Sequence, residues 1–309
     1  MLIQSFLFFL FLVCGRQFEE SRLTISKSDI VWLEAVSEES SLYEGHFTEI
    51  FAFNSKTKTI VQLTNDGENK RNPIIIDSNK ILYETDRDEY LRGKELTGAG
   101  TIFLLDLNNN TKSNVFQDFN YTKCSYGNMK YLDDSLVILS NWTVQNGEQI
   151  IYYNYKTNKK RTVLKLDFFV SQINVSNDSK TILIQTGFRS KLKQSIDTVI
   201  DGRRFMVKKE SNGKKVMALE NSQYFTFRDS LSIVTFSGFD VTEKKWWGTL
   251  GEISEIAFLD SNFVVYSLPK VNSSVWLLDK QLKTSRELFK RPKPIYNLFV
   301  TRHSLDQLK

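Results

Sequence analysis

Residues 50–63 read IFAFNSKTKTIVQL, two apolar runs on either side of a short polar turn built from Asn54, Ser55, Lys56 and Thr57. Such residues favour chain reversal, because their side chains bond nearby backbone and gain little from burial. The same figure returns at 102–115 (IFLLDLNNNTKSNV), 150–163 (IIYYNYKTNKKRTV) and 275–288 (VWLLDKQLKTSREL), with a looser copy at 206–219 (MVKKESNGKKVMAL). In all five the first apolar residue and the closing one are 13 positions apart (63−50, 115−102, 163−150, 288−275, 219−206). A supersecondary unit returning about every fifty residues is the signature of a propeller or another repeat array.

Between the hairpins a second element recurs, a polar Asp-Ser pair followed by a continuous apolar run. The copies are Asp77-Ser78, Asp134-Ser135, Asp178-Ser179, Asp229-Ser230 and Asp260-Ser261, with a degenerate one at Ser26–Asp29. The runs that follow alternate little, so these strands are expected to be covered on both faces, as the strands of a propeller blade are by neighbouring blades. The expected fold is all-β, a six-bladed β-propeller of four-stranded antiparallel blades, with five or seven blades open as alternatives. The units divide near 21–66, 67–118, 119–166, 167–219, 220–250 and 251–291, the fifth being short for four strands. A last run at 295–300 (IYNLFV) would close the ring against the first blade and remove the exposed sheet edges.

The composition agrees with this. Of 309 residues 41% are hydrophobic and 25% charged, which excludes a disordered chain, and Phe and Tyr are abundant at 23 and 12. Lys and Arg number 41 against 36 acids, too thin a surplus for the concentrated basic face of a nucleic acid binder. Two cysteines, Cys14 and Cys124, make no disulfide framework, and two histidines, His46 and His303, make no zinc spacing. No cofactor is expected, and the chain reads as a monomer.

Residues 2–13 (LIQSFLFFLFLV) are almost wholly apolar and then give way to polar residues. As a helix, twelve residues span about 18 Å, short of the ~30 Å hydrocarbon core of a bilayer. The run suits a secretory signal, which assigns 1–15 to a signal peptide and 16–309 to a single propeller domain. Cys14-Gly15 resembles a bacterial lipoprotein cleavage site, with Val13 standing where that motif has a small residue. Export to the periplasm or outside the cell is therefore expected. Membrane contact would be limited to a lipid on Cys14, tethering the chain to the outer membrane.

The stretch Gln62-Leu63-Thr64-Asn65-Asp66, then Asn72-Pro73, then residues 77–88 (DSNKILYETDRD) resembles the repeat of TolB-type six-bladed propellers. Here Asp77-Ser78 fills the turn without that repeat's Pro and Gly, and Asp86-Arg87-Asp88 matches in this unit alone. The resemblance implies an exported propeller, or the non-catalytic gating domain of a serine peptidase, and the TolB relatives imply protein–protein binding.

The sequence contains no Gly-x-Ser-x-Gly pentapeptide for a hydrolase nucleophile. Acids at a central funnel could serve a glycan hydrolase or lyase, and Asp86, Asp88 and Glu89 are the candidates. Glu34, Glu38, Glu39, Glu44 and Glu49 make the first unit acidic. Arg203, Arg204, Lys208, Lys209, Lys214 and Lys215 make the fourth basic, and both clusters read as solvated faces. Trp246-Trp247 offers one ring outward for a sugar or a partner, because adjacent strand residues point to opposite faces. The expectation is a binding propeller with a protein partner at the cell envelope, or a glycan, contacted through Asp86, Arg87, Asp88, Trp246 and Trp247. The alternative is the glycan hydrolase or lyase.

Overall fold

The computed structural model describes residues 24–35, 48–86, 100–116, 124–187, 190–210, 218–220, 223–227, 233–237, 240–244, 255–268, 273–282 and 284–309. Residues 50–63 form the expected hairpin, in which β2 (Thr48–Phe53) and β3 (Ile60–Gln62) pair antiparallel with Phe53 opposite Ile60. The reversal is made by one side chain. Asn54 Oδ1 accepts the N–H groups of Lys56 and Thr57 at 3.0 Å each, and Lys58 takes the left-handed conformation (φ 59°). Asn154 does the same for Lys156 and Thr157, between β10 (Gly147–Asn154) and β11 (Lys159–Leu166). Asp279 does it for Gln281 and Leu282 between β22 (Ser273–Asp279) and β23 (Thr284–Arg291), and between β6 (Gly100–Asp106) and β7 (Thr111–Asn114) Asp106 accepts the Asn108 N–H and the Asn109 side-chain amide. The left-handed residue recurs four positions on, at Asn110 (φ 50°) and Asn158 (φ 54°).

Among the described residues the strands make six four-stranded sheets. The first runs β24 (Ile295–Phe299), β1 (Ile30–Ala35), β2, β3, and the second runs β4 (Lys70–Asp77), β5 (Lys80–Asp86), β6, β7. The third runs β8 (Cys124–Tyr131), β9 (Leu136–Thr143), β10, β11. The fifth holds β16 (Ala218–Glu220), β17 (Gln223–Phe227), β18 (Ile233–Ser237) and β19 (Asp240–Lys244). The sixth holds β20 (Glu255–Leu259), β21 (Phe263–Leu268), β22 and β23. These five are antiparallel throughout.

The fourth sheet departs from that pattern. Its order is β12 (Val170–Val175), β13 (Thr181–Thr186), β15 (Arg203–Lys209), β14 (Ile196–Ile200), so the chain visits the outer rim first and β15 then pairs parallel with β13. The outer hairpin here is β14–β15, reversed at Asp201-Gly202 with φ of 51° and 72°, which only an Asx-Gly type of pair adopts readily. The looser copy at 206–219 is therefore no hairpin: Met206 lies in β15 and Leu219 in β16, the first strand of the next sheet. The boundary between the fourth and fifth units accordingly falls before 218.

The sheets close into a β-propeller. Each first strand (β24, β4, β8, β12, β16, β20) packs on the first strand of the next sheet, and β20 returns to β24. The seam is closed as expected by 295–299, with β24 pairing antiparallel to β1, Val31 opposite Phe299. Strands inside the blades are covered on both faces; all six residues of β13 are buried. Beyond β24 a helix, α1 (Arg302–Leu308), begins at a capping box of Thr301 and Ser304. Its Leu305 and Leu308 are buried with Trp32, Phe53, Val265 and Phe289, the cluster that joins the sixth sheet to the first. Thr301 Oγ1 donates to Lys27 O at 2.6 Å and Ser304 Oγ to Asp29 O at 3.2 Å, which ties the C-terminal helix to the turn before β1.

The Asp-Ser turns join first and second strands in the second, fourth and sixth sheets, where Asp77, Asp178 and Asp260 accept N–H groups of the turn. In the third sheet the reading shifts by one. Asp133 accepts the Ser135 and Leu136 N–H groups at 2.9 and 3.0 Å, which frees Asp134 for other partners. Asp229 and Ser230 lie outside the described residues, and the strands flanking them, β17 and β18, are second and third in their sheet.

Candidate functional site: the central channel

The six first strands surround a channel of about 620 Å³, within the ~300–1,000 Å³ of small-molecule sites. Every sheet contributes wall, among it Asn72, Lys130, Gln172, Leu219, Glu255 and Asn297, and the channel opens among Asp133, Asp134, Ser179, Arg302 and His303. Several of these strands are bulged. Pairing slips between Arg71 and Ile74, between Gly127 and Lys130, and beside Asn297, and at each slip an asparagine is left-handed: Asn72 (φ 45°), Asn128 (φ 55°) and Asn297 (φ 47°). A bulge leaves backbone N–H groups without ladder partners. They are taken up by side chains of the preceding blade. Asn72 N donates to Asn297 Oδ1 at 3.1 Å, Met129 N donates to Glu84 Oε1, and Asn297 N and Leu298 N donate to the two oxygens of Glu255 at 2.6 Å each.

Lys130 faces this wall from β8. Burial depresses its ammonium, and the charges of Glu84 and Glu255 offset only part of that effect. Burial also raises the Glu255 carboxyl, against the N–H groups of Leu298 and Asn297 and the charge of Lys130. Gln172, on the adjacent β12, has its Oε1 buried without a partner, while its Nε2 donates to Asn174 Oδ1 at 3.4 Å. At the mouth, Asp134 accepts from Lys27 Nζ and Tyr131 Oη, each at 2.7 Å, which lowers its carboxyl to about 2.

One further buried acid follows the same plan. Glu148 on β10 is bonded by Ser140 and by the backbone of Val170 in the next blade, yet burial dominates and pushes its carboxyl from 4.5 up to about 7. A raised carboxyl favours the folded state while it is protonated. Its contribution is complete below pH 4.5 and is lost as pH rises to about 7. Across that window wild type should lose on the order of 3 kcal/mol relative to Glu148→Gln, read from urea melts at several pH values; parallel pH profiles would refute it.

Few of the residues singled out from the sequence are among those described. Asp86 ends β5, its backbone opposite Gly100. Arg87, Asp88, Glu89, Trp246, Trp247, Cys14, His46 and the apolar run 2–13 lie outside the described residues. Cys124 is buried in a cluster with Ile74, Tyr126 and Met129. The acidic first unit is not a solvated face where it is described. Glu34 is buried against Trp32 Nε1 (2.7 Å) and Arg291, and Glu49 is buried against Thr64 and Lys70, because each acid sits where two blades meet. In the basic fourth unit Arg203 bonds Asp133 at 3.1 Å and Arg204 bonds Asp197, while Lys214 and Lys215 lie outside the described residues. Among the described residues no helix is long and apolar enough to cross a membrane, and no cluster of His, Cys, Asp and Glu could hold a metal ion. Lys130, Gln172 and Glu255 carried no motif. The available signal was Asn placed inside otherwise apolar strands, at Asn72, Asn128 and Asn297, where it marks a bulge rather than a loop.

No protein-family model matches the chain, and no curated protein matches it in sequence. Solved structures do match in shape. TolB from Acinetobacter baumannii superposes with a TM-score of 0.55 at 11% identity, covering 88% of this chain and 66% of that one. A puromycin-hydrolyzing peptidase from Mycobacterium tuberculosis superposes with a TM-score of 0.51 at 10% identity, covering 86% of this chain and 44% of that one. The chain thus spans just under two thirds of the first protein and less than half of the second. At these identities the likeness is one of fold, to TolB-like and peptidase β-propeller domains.

Proposed function

We propose that this chain is an exported, non-catalytic binding propeller that receives a segment of a protein partner in its central channel. The observation that carries the reading is the state of Glu255, the buried acid of the channel wall, whose two oxygens already accept the Asn297 and Leu298 N–H groups of a bulged strand. A catalytic acid–base pair must instead present its oxygens to a substrate and a water. The rest of the wall is rich in amides, and a wall contributed by six blades touches a guest through many short segments. The apolar run 2–13 supports export, and the TolB-like fold agrees with a role in protein binding without deciding it.

A photoreactive residue at Phe258 on the channel wall should cross-link a protein partner in intact cells, whereas the same group at Lys159 on the outer β11 should not. Equal capture from both positions, or none from Phe258, would overturn the reading. A second reading is favoured by acids and bases sharing one channel lining, Glu255, Asp133 and Asp134 with Lys130 and Arg302, the kind of grouping a glycan hydrolase or lyase needs. It requires turnover of a polysaccharide that Glu255→Gln abolishes.

A further inference from the structure

We infer that a second copy of the chain docks edge to edge on β14, the outer strand of the fourth sheet, pairing antiparallel about a two-fold axis at Thr198, in place of the monomer expected from the sequence. β14 stands three strands, about 14 Å, from the channel-lining β12, so the joint leaves the proposed guest site open.

The edge is unusual in its residues. A rim strand offers unpaired backbone groups to another strand, and folded proteins guard such edges with charge or keep them short. β11 and β23 each carry four charged residues in eight, and β3 and β7 are only three and four residues long. β14 (IDTVI) has one charge, Asp197, and Arg204 of its own neighbour β15 already binds that carboxylate at 2.9 and 3.1 Å. The apolar side chains of Val199 and Ile196 are 67% and 37% exposed.

Backbone geometry fixes which residues can pair. Arg204 N donates to Lys180 O and Glu210 N to Thr186 O, so the even-numbered residues of β15 turn their backbone toward β13. Their partners across the hairpin, Val199 opposite Arg204 and Asp197 opposite Met206, therefore turn theirs outward. An added strand must set its own outward residues against these two. For a second copy one register places Asp197 against Val199 twice over and Thr198 opposite itself. It also aligns Ile196 with Ile200, which packs on the core cluster of Phe205 and Val207. A step either way sets Asp197 against Asp197 or against Asp201, and like charges directly opposite are destabilising. The edge thus complements itself, the condition for a two-fold interface, and pairing stops at two because each copy uses up its edge.

The test uses the full chain carrying Cys14→Ser, which leaves only the buried Cys124. With Thr198→Cys added, mild oxidation should link two copies, since opposed residues of a non-hydrogen-bonded pair lie ~4.5 Å apart at Cα, within disulfide range. Ser195→Cys should not link, because its two-fold mate lies about 20 Å away along the pair. Sedimentation velocity should show a dimer whose share grows with concentration, as a joint of one short strand per copy is small. Val199→Asp should weaken it about tenfold by facing Asp197 of the second copy at two symmetric places, whereas Val199→Lys should not. Equal linking by Ser195→Cys and Thr198→Cys, equal weakening by Asp and Lys at 199, or a monomer up to roughly 1 mM would overturn the inference. The disulfide and sedimentation tests use different substitutions, so a variant that fails to melt cooperatively leaves the other to decide. A second copy caught at the rim weighs as two chains, which tells it apart from a channel guest.

Discussion

Lys70→Met should destabilise the fold by about 3–5 kcal/mol, the cost of removing one partner from a buried ionic network. The Lys70 side chain is 0% exposed and lies between the first and second blades. Its ammonium meets Glu49 Oε2 at 3.2 Å, the Asp66 carboxylate, and the carbonyls of Thr48 (3.1 Å) and Glu68 (3.3 Å). Methionine fills a similar volume but leaves Glu49 uncompensated in a site it cannot leave. Asp66 shows the strength of the contact: burial alone would raise its carboxyl, yet the Lys70 ammonium holds it below the usual range. The comparison is Lys290→Met, whose exposed pair with Glu287 at 3.3 Å should be worth under about 1 kcal/mol. Urea denaturation of both variants decides it; similar small losses would mean the network adds nothing at the junction.

Removing residues 295–309 should abolish cooperative melting altogether. The deletion strips β24 from β1 and so exposes a sheet edge, and it also uncovers Trp32, Phe53 and Phe289, which stack within 4.7 Å and are roofed by α1. A propeller without its closing strand has no partner for either neighbour, since β24 contacts both β20 and β4. A graded version tests the same seam. Leu305→Ala, at a residue 0% exposed, should cost about 2–5 kcal/mol by leaving a cavity in that cluster. A truncated chain that melted sharply near the wild-type temperature would show that closure is dispensable.

The architecture was legible because it rests on local chemistry. An Asx residue at 54, 106, 154 or 279, with a left-handed residue four positions on in the three hairpins where that position is described, is both a sequence signal and a turn mechanism. The closing strand could be read for a similar reason, as an apolar run left over after the units were counted. The fourth sheet misled because Met206 and Leu219 match the 13-residue spacing by composition, while the turn that decides the topology is Asp201-Gly202. That pair was the stronger signal and lay a few residues earlier. Strand order within a sheet is a non-local property, and the parallel β13–β15 pairing left no trace in spacing.

The channel was harder to see. Glu84, Lys130 and Glu255 stand in ordinary strand contexts, and their importance comes from which blades the ring makes adjacent. Glu34 and Glu49 show the same limit, since a cluster that counts as charge in the sequence becomes a set of separate joints once the blades meet. Only the bulge asparagines carried a readable mark.

The bulge contacts give the ring a handed order. Where they occur, the donor amides belong to one blade and the receiving side chain to the blade before it: second to first through Asn297, third to second through Glu84, first to sixth through Glu255. Clockwise and anticlockwise neighbours are therefore not equivalent, although the blades repeat. Harm done to one of these acids is felt in the backbone of the blade that follows it, and the blade that carries the acid keeps its own pairing.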